Sequence, residues 1–205
     1  SLGDAGQVVV IAHDSKSLTS QERVNNFIAE IQNNHPNMSV AGPYYMDQID
    51  DIKKTIAEQQ LDIVPVEGQE LDEEQQTALD DAIAQITDED IYNYILEMNP
   101  DVKGIFATNG DTTMQALTAC EEKDMKDVVI MGYDADQEEI DAMKDGRIAG
   151  MIVQNPYGMG YATVVAEARC VLNMGNEANV NTGYTWVTPD NIEDRTVQDI
   201  LYAEK

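Results

Sequence analysis

Short apolar runs alternate with amphipathic segments along almost the whole chain. The runs are rich in Val and Ile and have the length of buried strands. They predict strands over Val8–Ala12, Met38–Ala41, Val102–Thr108, Val128–Tyr133, Ile148–Val153 and Tyr184–Val187. Apolar residues spaced by three and four predict the helices between them. These are a helix capped by Ser20, Gln48–Gln59, Asp72–Gln85, a helix with a capping box at Thr87, a helix capped by Asp111 that runs to Lys123, Gln137–Lys144, Tyr157–Leu172 and Thr196–Tyr202. Because strands alternate with helices, we expect an α/β protein with a doubly wound parallel sheet and right-handed crossovers.

Polar side chains follow the predicted strands at their carboxyl ends. His13 follows the first strand, Asn109 the third, Asp134 the fourth and Gln154 the fifth, and Arg23 lies one turn inside the first helix. In open sheets of this kind, ligands bind beyond the carboxyl ends of the strands. Arg, Asp, Asn and Gln side chains together offer the paired donors and acceptors that vicinal hydroxyls of a sugar require. These five residues are therefore the candidate ligand contacts.

Each candidate also has a structural alternative. Asp134 could cap the helix that follows it, and Asn109 could be only a turn residue. Arg23 could be a surface charge of its helix, and Gln154 could belong to a hinge without touching a ligand. For His13, a loop role is favoured over ligand contact.

Two aromatic residues and two cysteines are expected to serve packing rather than chemistry. Tyr184 and Trp186, in the last predicted strand, are assigned to a core or a hinge rather than to stacking on a sugar ring. Cys120 and Cys170 lie far apart in helical patterns, without the spacing of a metal site. Both are expected to be small buried hydrophobes.

The net charge of the chain, −27, limits the classes of partner. Nucleic acids and anionic membranes are excluded as main partners, because both require clustered Lys and Arg. No apolar run is long enough for a transmembrane helix, and no signal peptide opens the chain. Gly-X-Ser-X-Gly, Walker and His-Glu-X-X-His motifs are absent, so no enzyme, catalytic residue or cofactor is predicted.

The acidic charge is concentrated in residues 61–86, and no Lys or Arg occurs between Lys54 and Lys103. We interpret 61–86 as an acidic surface insertion that holds one helix. A calcium site is the alternative, but the Asp-X-Asn/Asp-X-Asn/Asp-Gly pattern of a calcium loop is absent. No metal site is predicted.

Three motifs occur in a fixed order near the C-terminal end of the chain. They are Gly-Tyr-Asp at Gly132–Asp134, Asp-Gly-Arg-Ile at Asp145–Ile148 and Gln-Asn-Pro-Tyr-Gly-Met-Gly at Gln154–Gly160. This order resembles the C-terminal lobe of the type 1, ribose-binding-like periplasmic binding proteins, which are the solute receptors of sugar ABC transporters. The resemblance extends from Val8 to about Thr188.

The resemblance implies four ligand contacts in this sequence. The arginine, asparagine, aspartate and glutamine of the family fall on Arg23, Asn109, Asp134 and Gln154, and all four keep the residue type of the family. Gly110 is a departure, because family members usually carry an acidic residue there. The insertion described above is a second departure.

The resemblance also implies that the chain is one part of a two-lobed protein. Residues 1–205 are expected to form its C-terminal lobe, and most of the first lobe would come from preceding residues. Residues 157–183 normally pack against that first lobe. We therefore expect an exposed apolar patch on 157–183, and with it either pairing of two copies as a homodimer or a rearranged helix.

The function implied is reversible binding of a small polar solute, most simply a monosaccharide, by hinge closure of the two lobes. The expected partner is the membrane permease of an ABC transporter, and the expected location is extracytoplasmic, with the signal segment absent from this chain. The effector-binding domain of a LacI-type transcription regulator is the alternative, and the extracellular sensor of a histidine kinase is a third. The acidic charge and the Gln-Asn-Pro motif favour the transport receptor.

Overall fold

A computed structural model describes residues 5–65, 71–177 and 179–201. The strands are β1 (Ala5–Ala12), β2 (Asn37–Tyr45), β3 (Val102–Ala107), β4 (Val129–Tyr133), β5 (Gly150–Gln154) and β6 (Tyr184–Val187). The helices are α1 (Leu18–Asn34), α2 (Asp50–Gln60), α3 (Glu73–Gln85), α4 (Asp88–Met98), α5 (Gly110–Glu122), α6 (Gln137–Lys144), α7 (Pro156–Val171) and α8 (Arg195–Gln198). The predicted α/β class is confirmed.

The six strands form one sheet in the order β2-β1-β3-β4-β5-β6. Strands β1 to β5 pair in parallel, as predicted. The prediction of a wholly parallel sheet is wrong for β6, which pairs antiparallel with β5. The connection from β5 to β6 begins and ends at the same end of the sheet. The chain returns with Tyr184 opposite Gln154 and therefore runs in the opposite direction.

Alternate residues of β1 pack against helices on opposite faces of the sheet, as expected for a strand buried on both sides. Val9 and Ile11 belong to the larger apolar cluster, together with side chains of α4, α5 and α6. Val10 and Ala12 belong to a smaller cluster with Val24 of α1. α1 and α5 therefore lie on opposite faces of the sheet.

Strand β2 continues through Gly42–Tyr45, beyond Ala41, where the apolar pattern predicted its end. The pairing of β1 with β2 shifts register between Val9 and Ile11, which is the signature of an irregularity or bulge. Gly42 has a φ of 90°, and a Cβ there would lie 2.8 Å from the Tyr44 nitrogen. β2 is an edge strand, a position at which Pro43 is tolerated although it has no N–H to donate to a neighbouring strand.

Two helices begin earlier than their sequence caps predict. α1 is capped by Ser17, whose side chain accepts a hydrogen bond from the Ser20 N–H, so the predicted cap at Ser20 is wrong. α5 is capped by Asn109 rather than by Asp111, because the Asn109 side chain reaches the Thr112 N–H. In both helices the capping side chain accepts from the N–H three residues later, which is within the reach of an N-cap side chain.

The expected burial of aromatic and cysteine side chains is only partly confirmed. Cys120 is buried, and burial raises the pKa of its thiol to about 11. Cys170 is exposed, so its assignment as a buried hydrophobe is wrong. Trp186 lies over Gly150, where an added Cβ would come within 2.2 Å of its ring. Tyr184 is 74% exposed and does not contribute to a core.

Two predicted segments extend beyond the described residues. Within the insertion predicted at 61–86, residues 66–70 lie outside them, and the rest includes α3, which is capped by Asp72 and buries only Leu79. The last helix spans Arg195–Gln198, shorter than the prediction, whose final residue, Tyr202, also lies outside the described part.

Helix α7 buries none of its residues. Tyr157, Tyr161 and Val164 are 82%, 65% and 65% exposed, and the two tyrosine rings stack with centroids 6.5 Å apart. In the part of the chain that the structure describes, no helix combines the length and the apolarity that a membrane crossing needs.

Candidate functional site

The strand order places the switch point of the sheet between β1 and β3. The chain leaves β1 at His13 toward α1 on one face, and it leaves β3 at Thr108 toward α5 on the other. Because the two connections diverge, a crevice opens beyond these strand ends. The candidate residues are arranged around this crevice.

Thr108 is fully buried and connects the first two candidates. The Arg23 Nη1 donates to the Thr108 carbonyl oxygen. The His13 backbone N–H donates to Thr108 Oγ1 at 3.1 Å, and the His13 Nδ1 lies 2.8 Å from the same oxygen. The His13 Nε2 lies 3.0 Å from an Asp14 carboxylate oxygen. Both ring nitrogens of His13 are thus engaged within the protein, which favours the structural role.

The loop after His13 is held by Asp14. Its carboxylate accepts hydrogen bonds from the backbone N–H groups of Lys16 and Ser17 and from the Ser17 hydroxyl. These bonds, led by the one from the Ser17 backbone, lower the pKa of Asp14. A carboxylate that accepts several N–H bonds is stabilised in its charged form, so the loop geometry depends on an ionised Asp14.

An aromatic row supports the Arg23 side chain. The Cζ atom of Arg23 lies 3.9 Å from the centroid of the Tyr133 ring. The Tyr133 ring meets Phe106 edge-on at 6.0 Å, and Phe106 stacks on Phe27 at 4.2 Å. Arginine favours such stacking, which fixes the plane of its guanidinium. The row therefore orients a planar set of donors at the rim.

Asn109 both caps α5 and presents its amide group at the rim. Its Oδ1 accepts hydrogen bonds from the Thr112 N–H at 3.1 Å and from the Thr112 hydroxyl at 2.6 Å. Its NH₂ group has no hydrogen-bond partner within the described ranges. The cap thus fixes the orientation of an amide whose donors are unused.

Asp134 directly follows β4 and has a left-handed backbone φ of 75°. Its Oδ2 accepts a hydrogen bond from the Gly110 N–H at 3.1 Å, and its own N–H donates to the Ile152 carbonyl at 3.2 Å. The alternative role as helix cap is wrong, because Asp136 caps α6 and accepts from the Glu139 N–H. Asp134 is therefore held by the first residue of α5 and by the middle of β5, and its second carboxylate oxygen is unpaired in the described structure.

Gln154 is the last residue of β5 and pairs with Tyr184 across the sheet. Within the described residues its side chain makes no hydrogen bond. It lines a groove of about 710 Å³ that also includes Arg23, Phe106 and Tyr133. The other three candidates, His13, Asn109 and Asp134, are not among the residues that line this groove. The structure thus brings four candidates together around the end of β3: His13, Arg23, Asn109 and Asp134. Gln154 lies two residues after Ile152, the residue of β5 whose carbonyl accepts the Asp134 N–H.

Three residues of this region were not selected from the sequence. Thr108 and Tyr133 each lie directly before a selected residue, so the strand-end rule could have found them. Glu139 is fully buried behind the rim. The spacing Asp136-X-X-Glu139 predicts a capping box, but it contains no signal that the carboxyl is buried.

In the described ranges, no group of three or more His, Cys, Asp or Glu side chains could hold a metal ion. The polar atoms at the rim instead suit a ligand that both donates and accepts hydrogen bonds.

Comparison with protein families gives a direct match. The family described as "Periplasmic binding protein domain" matches residues 1–170. The chain belongs to this family, which confirms the resemblance seen in the sequence motifs.

Curated relatives match over shorter stretches. The ribose import binding protein RbsB of Salmonella typhimurium is 35% identical over 66 residues, which cover 32% of this chain and 22% of that protein. The Haemophilus influenzae protein of the same name is 31% identical over 86 residues, covering 42% of this chain and 29% of the relative.

Solved structures match over nearly the whole chain. A carbohydrate transporter solute-binding protein from Agrobacterium radiobacter, in complex with D-arabinose, has a TM-score of 0.72 and 24% identity. The match covers 96% of this chain and 55% of that one. An ABC transporter solute-binding protein from Agrobacterium vitis with bound D-fucose has a TM-score of 0.72 and 23% identity, covering 98% and 57%. These matches establish the fold, and the chain spans little more than half the length of these structures.

Proposed function

We propose that this chain is the C-terminal lobe of an extracytoplasmic solute-binding protein that delivers a monosaccharide to the permease of an ABC importer. The lobe binds the solute reversibly at the strand-end crevice and makes no covalent change to it. A second lobe closes over the solute by hinge motion. The relatives described above, named as import binding proteins and transporter solute-binding proteins, support this class of function.

The observation that carries the proposal is a set of oriented polar atoms that the protein itself leaves unused. The Asn109 NH₂ group and the Gln154 amide have no partner within the described ranges, and Asp134 has one unpaired carboxylate oxygen. In the part of the chain that the structure describes, Arg23 forms a side-chain hydrogen bond only through Nη1. Each sugar hydroxyl donates one hydrogen bond and accepts others, so vicinal hydroxyls can satisfy these atoms together.

The alternative of a LacI-type effector-binding domain gains no support from these relatives, which are named as binding proteins for import or transport. The acidic net charge also disfavours a segment that works at DNA. The Thr108 hydroxyl that pairs with His13 is fully buried, so this pair presents no nucleophile to the crevice, and a binding role without catalysis is proposed.

A thermal-shift screen of the full-length protein tests the proposal. The panel contains D-ribose, D-arabinose, D-fucose and D-allose, each in large excess. A bound sugar at about 100 times its Kd stabilises the folded state by about 2.7 kcal/mol. This gain corresponds to a rise in Tm of a few degrees for a protein of this size.

Two aspartates of the same strand region provide the variant and its matched control. Asp134→Ala removes the carboxylate at the end of β4, whereas Asp127→Ala removes an exposed carboxylate just before the start of that strand. A shift that disappears only in Asp134→Ala supports the proposed site. An equal shift in both variants places the sugar elsewhere, and no shift with any sugar removes the monosaccharide from the proposal.

We also propose that α7 packs against the second lobe in the intact protein. Its lack of buried residues and its exposed tyrosines support this assignment. Without that lobe, the apolar stripe of α7 would pair with the stripe of a second copy, because a patch of this kind is costly to leave in water.

A further inference from the structure

A buried carboxyl group lies directly behind the strand-end crevice. Glu139, in the first turn of α6, has no exposed surface. Its Oε2 accepts one hydrogen bond, from the Asp136 N–H at 3.2 Å. Its Oε1 is buried and has no hydrogen-bond partner in the described structure. An orphaned buried oxygen of this kind requires an explanation.

The missing side chain of Gly110 makes room for this carboxyl. A Cβ at Gly110 would lie 3.1 Å from Glu139 Oε2 and 3.3 Å from Oε1. The carboxyl group therefore lies so close to the first residue of α5 that a side chain at position 110 would press against it. The same Gly110 donates its N–H to Asp134. One backbone residue thus separates the buried carboxyl from a candidate ligand contact.

The charged groups around Glu139 are acidic. Asp136 faces it from the cap of α6, and Asp134 faces it from the end of β4. On α5, the titratable side chain of the first turn is Asp111, which is exposed. Burial, followed by the charges of Asp136 and Asp134, raises the pKa of Glu139 to about 8, against the hydrogen bond from Asp136. The carboxyl is therefore neutral in neutral and acidic solution.

We propose that Glu139 is a positioning residue of the solute site, whose neutral carboxyl packs against Gly110 and keeps the Gly110 N–H on Asp134. Ionisation of Glu139 would place a second anion beside this N–H, with one of its oxygens unpaired. Two close carboxylates repel, and a buried charge needs donors or water. Repulsion between the two carboxylates, or entry of water to solvate the Glu139 charge, would shift Gly110 and with it Asn109 and Asp134. Solute affinity therefore falls in alkaline solution. This consequence for affinity rests on the proposed function.

The first experiment does not need a solute. The amide resonance of Gly110 is followed by NMR in the full-length protein from about pH 6 to pH 9.5, a window centred on the raised pKa. The resonance is expected to titrate with a midpoint near pH 8, and this titration is expected to vanish in Glu139→Gln. Glu138→Gln, which removes an exposed carboxyl of the same helix turn, is the matched control and keeps the titration.

The second experiment connects the titration to binding. Affinities for D-ribose, D-arabinose, D-fucose and D-allose are measured by calorimetry at about pH 6.5 and pH 9, on either side of the expected midpoint. The affinity of the sugar that binds is expected to fall about threefold or more in the wild type and to stay level in Glu139→Gln. In Gly110→Ala, the added methyl group would press against the Glu139 carboxyl, so this variant is expected to weaken binding at both pH values.

The outcomes separate this inference from the proposed function. A Gly110 resonance that does not titrate, or that titrates equally in Glu139→Gln, overturns the inference. A titration without any change of affinity overturns the positioning role. If none of the four sugars binds at either pH, the monosaccharide proposal fails, while the Gly110 titration still decides whether Glu139 controls this backbone segment.

Discussion

The guanidinium of Arg23 lies on the ring of Tyr133, with Cζ 3.9 Å from the ring centroid, and donates from Nη1 to the Thr108 carbonyl. The ring sets the plane of the guanidinium, and the carbonyl sets its rotation within that plane. Burial raises the pKa of Tyr133, and the charge of Arg23 opposes this rise. The arginine is thus oriented before any ligand arrives, which lowers the entropy cost of binding.

We expect Arg23→Lys to weaken sugar binding by about tenfold while costing about 1 kcal/mol of folding stability, because lysine keeps the charge but loses the planar stack and the fork of donors. Calorimetry and chemical denaturation measure the two effects. Arg147→Lys is the control, since the Arg147 side chain forms exposed ion pairs with Glu121 and Asp145 and does not line the groove that contains Arg23. Equal affinities in the wild type and Arg23→Lys would contradict a ligand role for the guanidinium.

Substitutions of Asn109 can separate its cap from its amide donors. Asn109→Asp keeps an oxygen for the Thr112 N–H, so stability is expected to stay within about 0.5 kcal/mol, while loss of the NH₂ group reduces affinity. Asn109→Ala is expected to lose affinity and also about 1 kcal/mol of stability. Asp72→Ala, which removes the cap of α3, is expected to cost stability without changing affinity. Full affinity in Asn109→Asp would rule out the amide as a donor to the solute.

The stability of the fold is expected to decline as pH rises from about 4.5 to about 8. In this window the folded chain keeps the Glu139 proton, whose pKa is raised from 4.5 to about 8, while the unfolded chain has lost it. The unfolded state then binds fewer protons, so stability falls with pH. The total loss is on the order of 5 kcal/mol.

Denaturation curves at several pH values measure this decline, and Glu139→Gln is expected to flatten it. Below the window the trend reverses, because the pKa of Asp14 is lowered in the fold. Asp14 therefore contributes stability above its unfolded pKa, and this contribution is lost as pH falls through its folded pKa. A wild type whose stability stays level from pH 5 to 8 would contradict the buried neutral carboxyl.

The 205-residue chain alone is expected to self-associate through α7. Tyr157, Tyr161 and Val164 follow one another at intervals of four and three residues, so they lie on one face of the helix. Val164→Glu is expected to shift the sedimentation coefficient toward that of a monomer. Thr163→Glu, an exposed position about 100° around α7 from Val164, is the control and is expected to leave association unchanged. A wild-type chain that sediments as a monomer at all concentrations would exclude pairing through this face.

The sequence predicted the parallel strands and the strand-end residues well, because both depend on local patterns. Val8–Ala12 is apolar on both faces, and a polar residue follows it directly. The antiparallel direction of β6 was missed, since direction depends on where the chain returns. Ser17 was missed as a cap because Ser20, three residues later, carries the same signal. The burial of Glu139 was missed because it depends on the absence of a side chain at Gly110, far away in sequence.

The pairing of Gln154 with Tyr184 has a mechanical consequence. The segment that contains α7 leaves the sheet and re-enters it at the same rung of the ladder. The two ends of this segment therefore cannot separate without breaking the pairing of β5 with β6 and the hydrogen bond from the Asn155 side chain to the Thr182 carbonyl. Gln154 is both a polar group of the crevice and the residue at which the segment leaves the sheet, so the crevice and the segment share this residue.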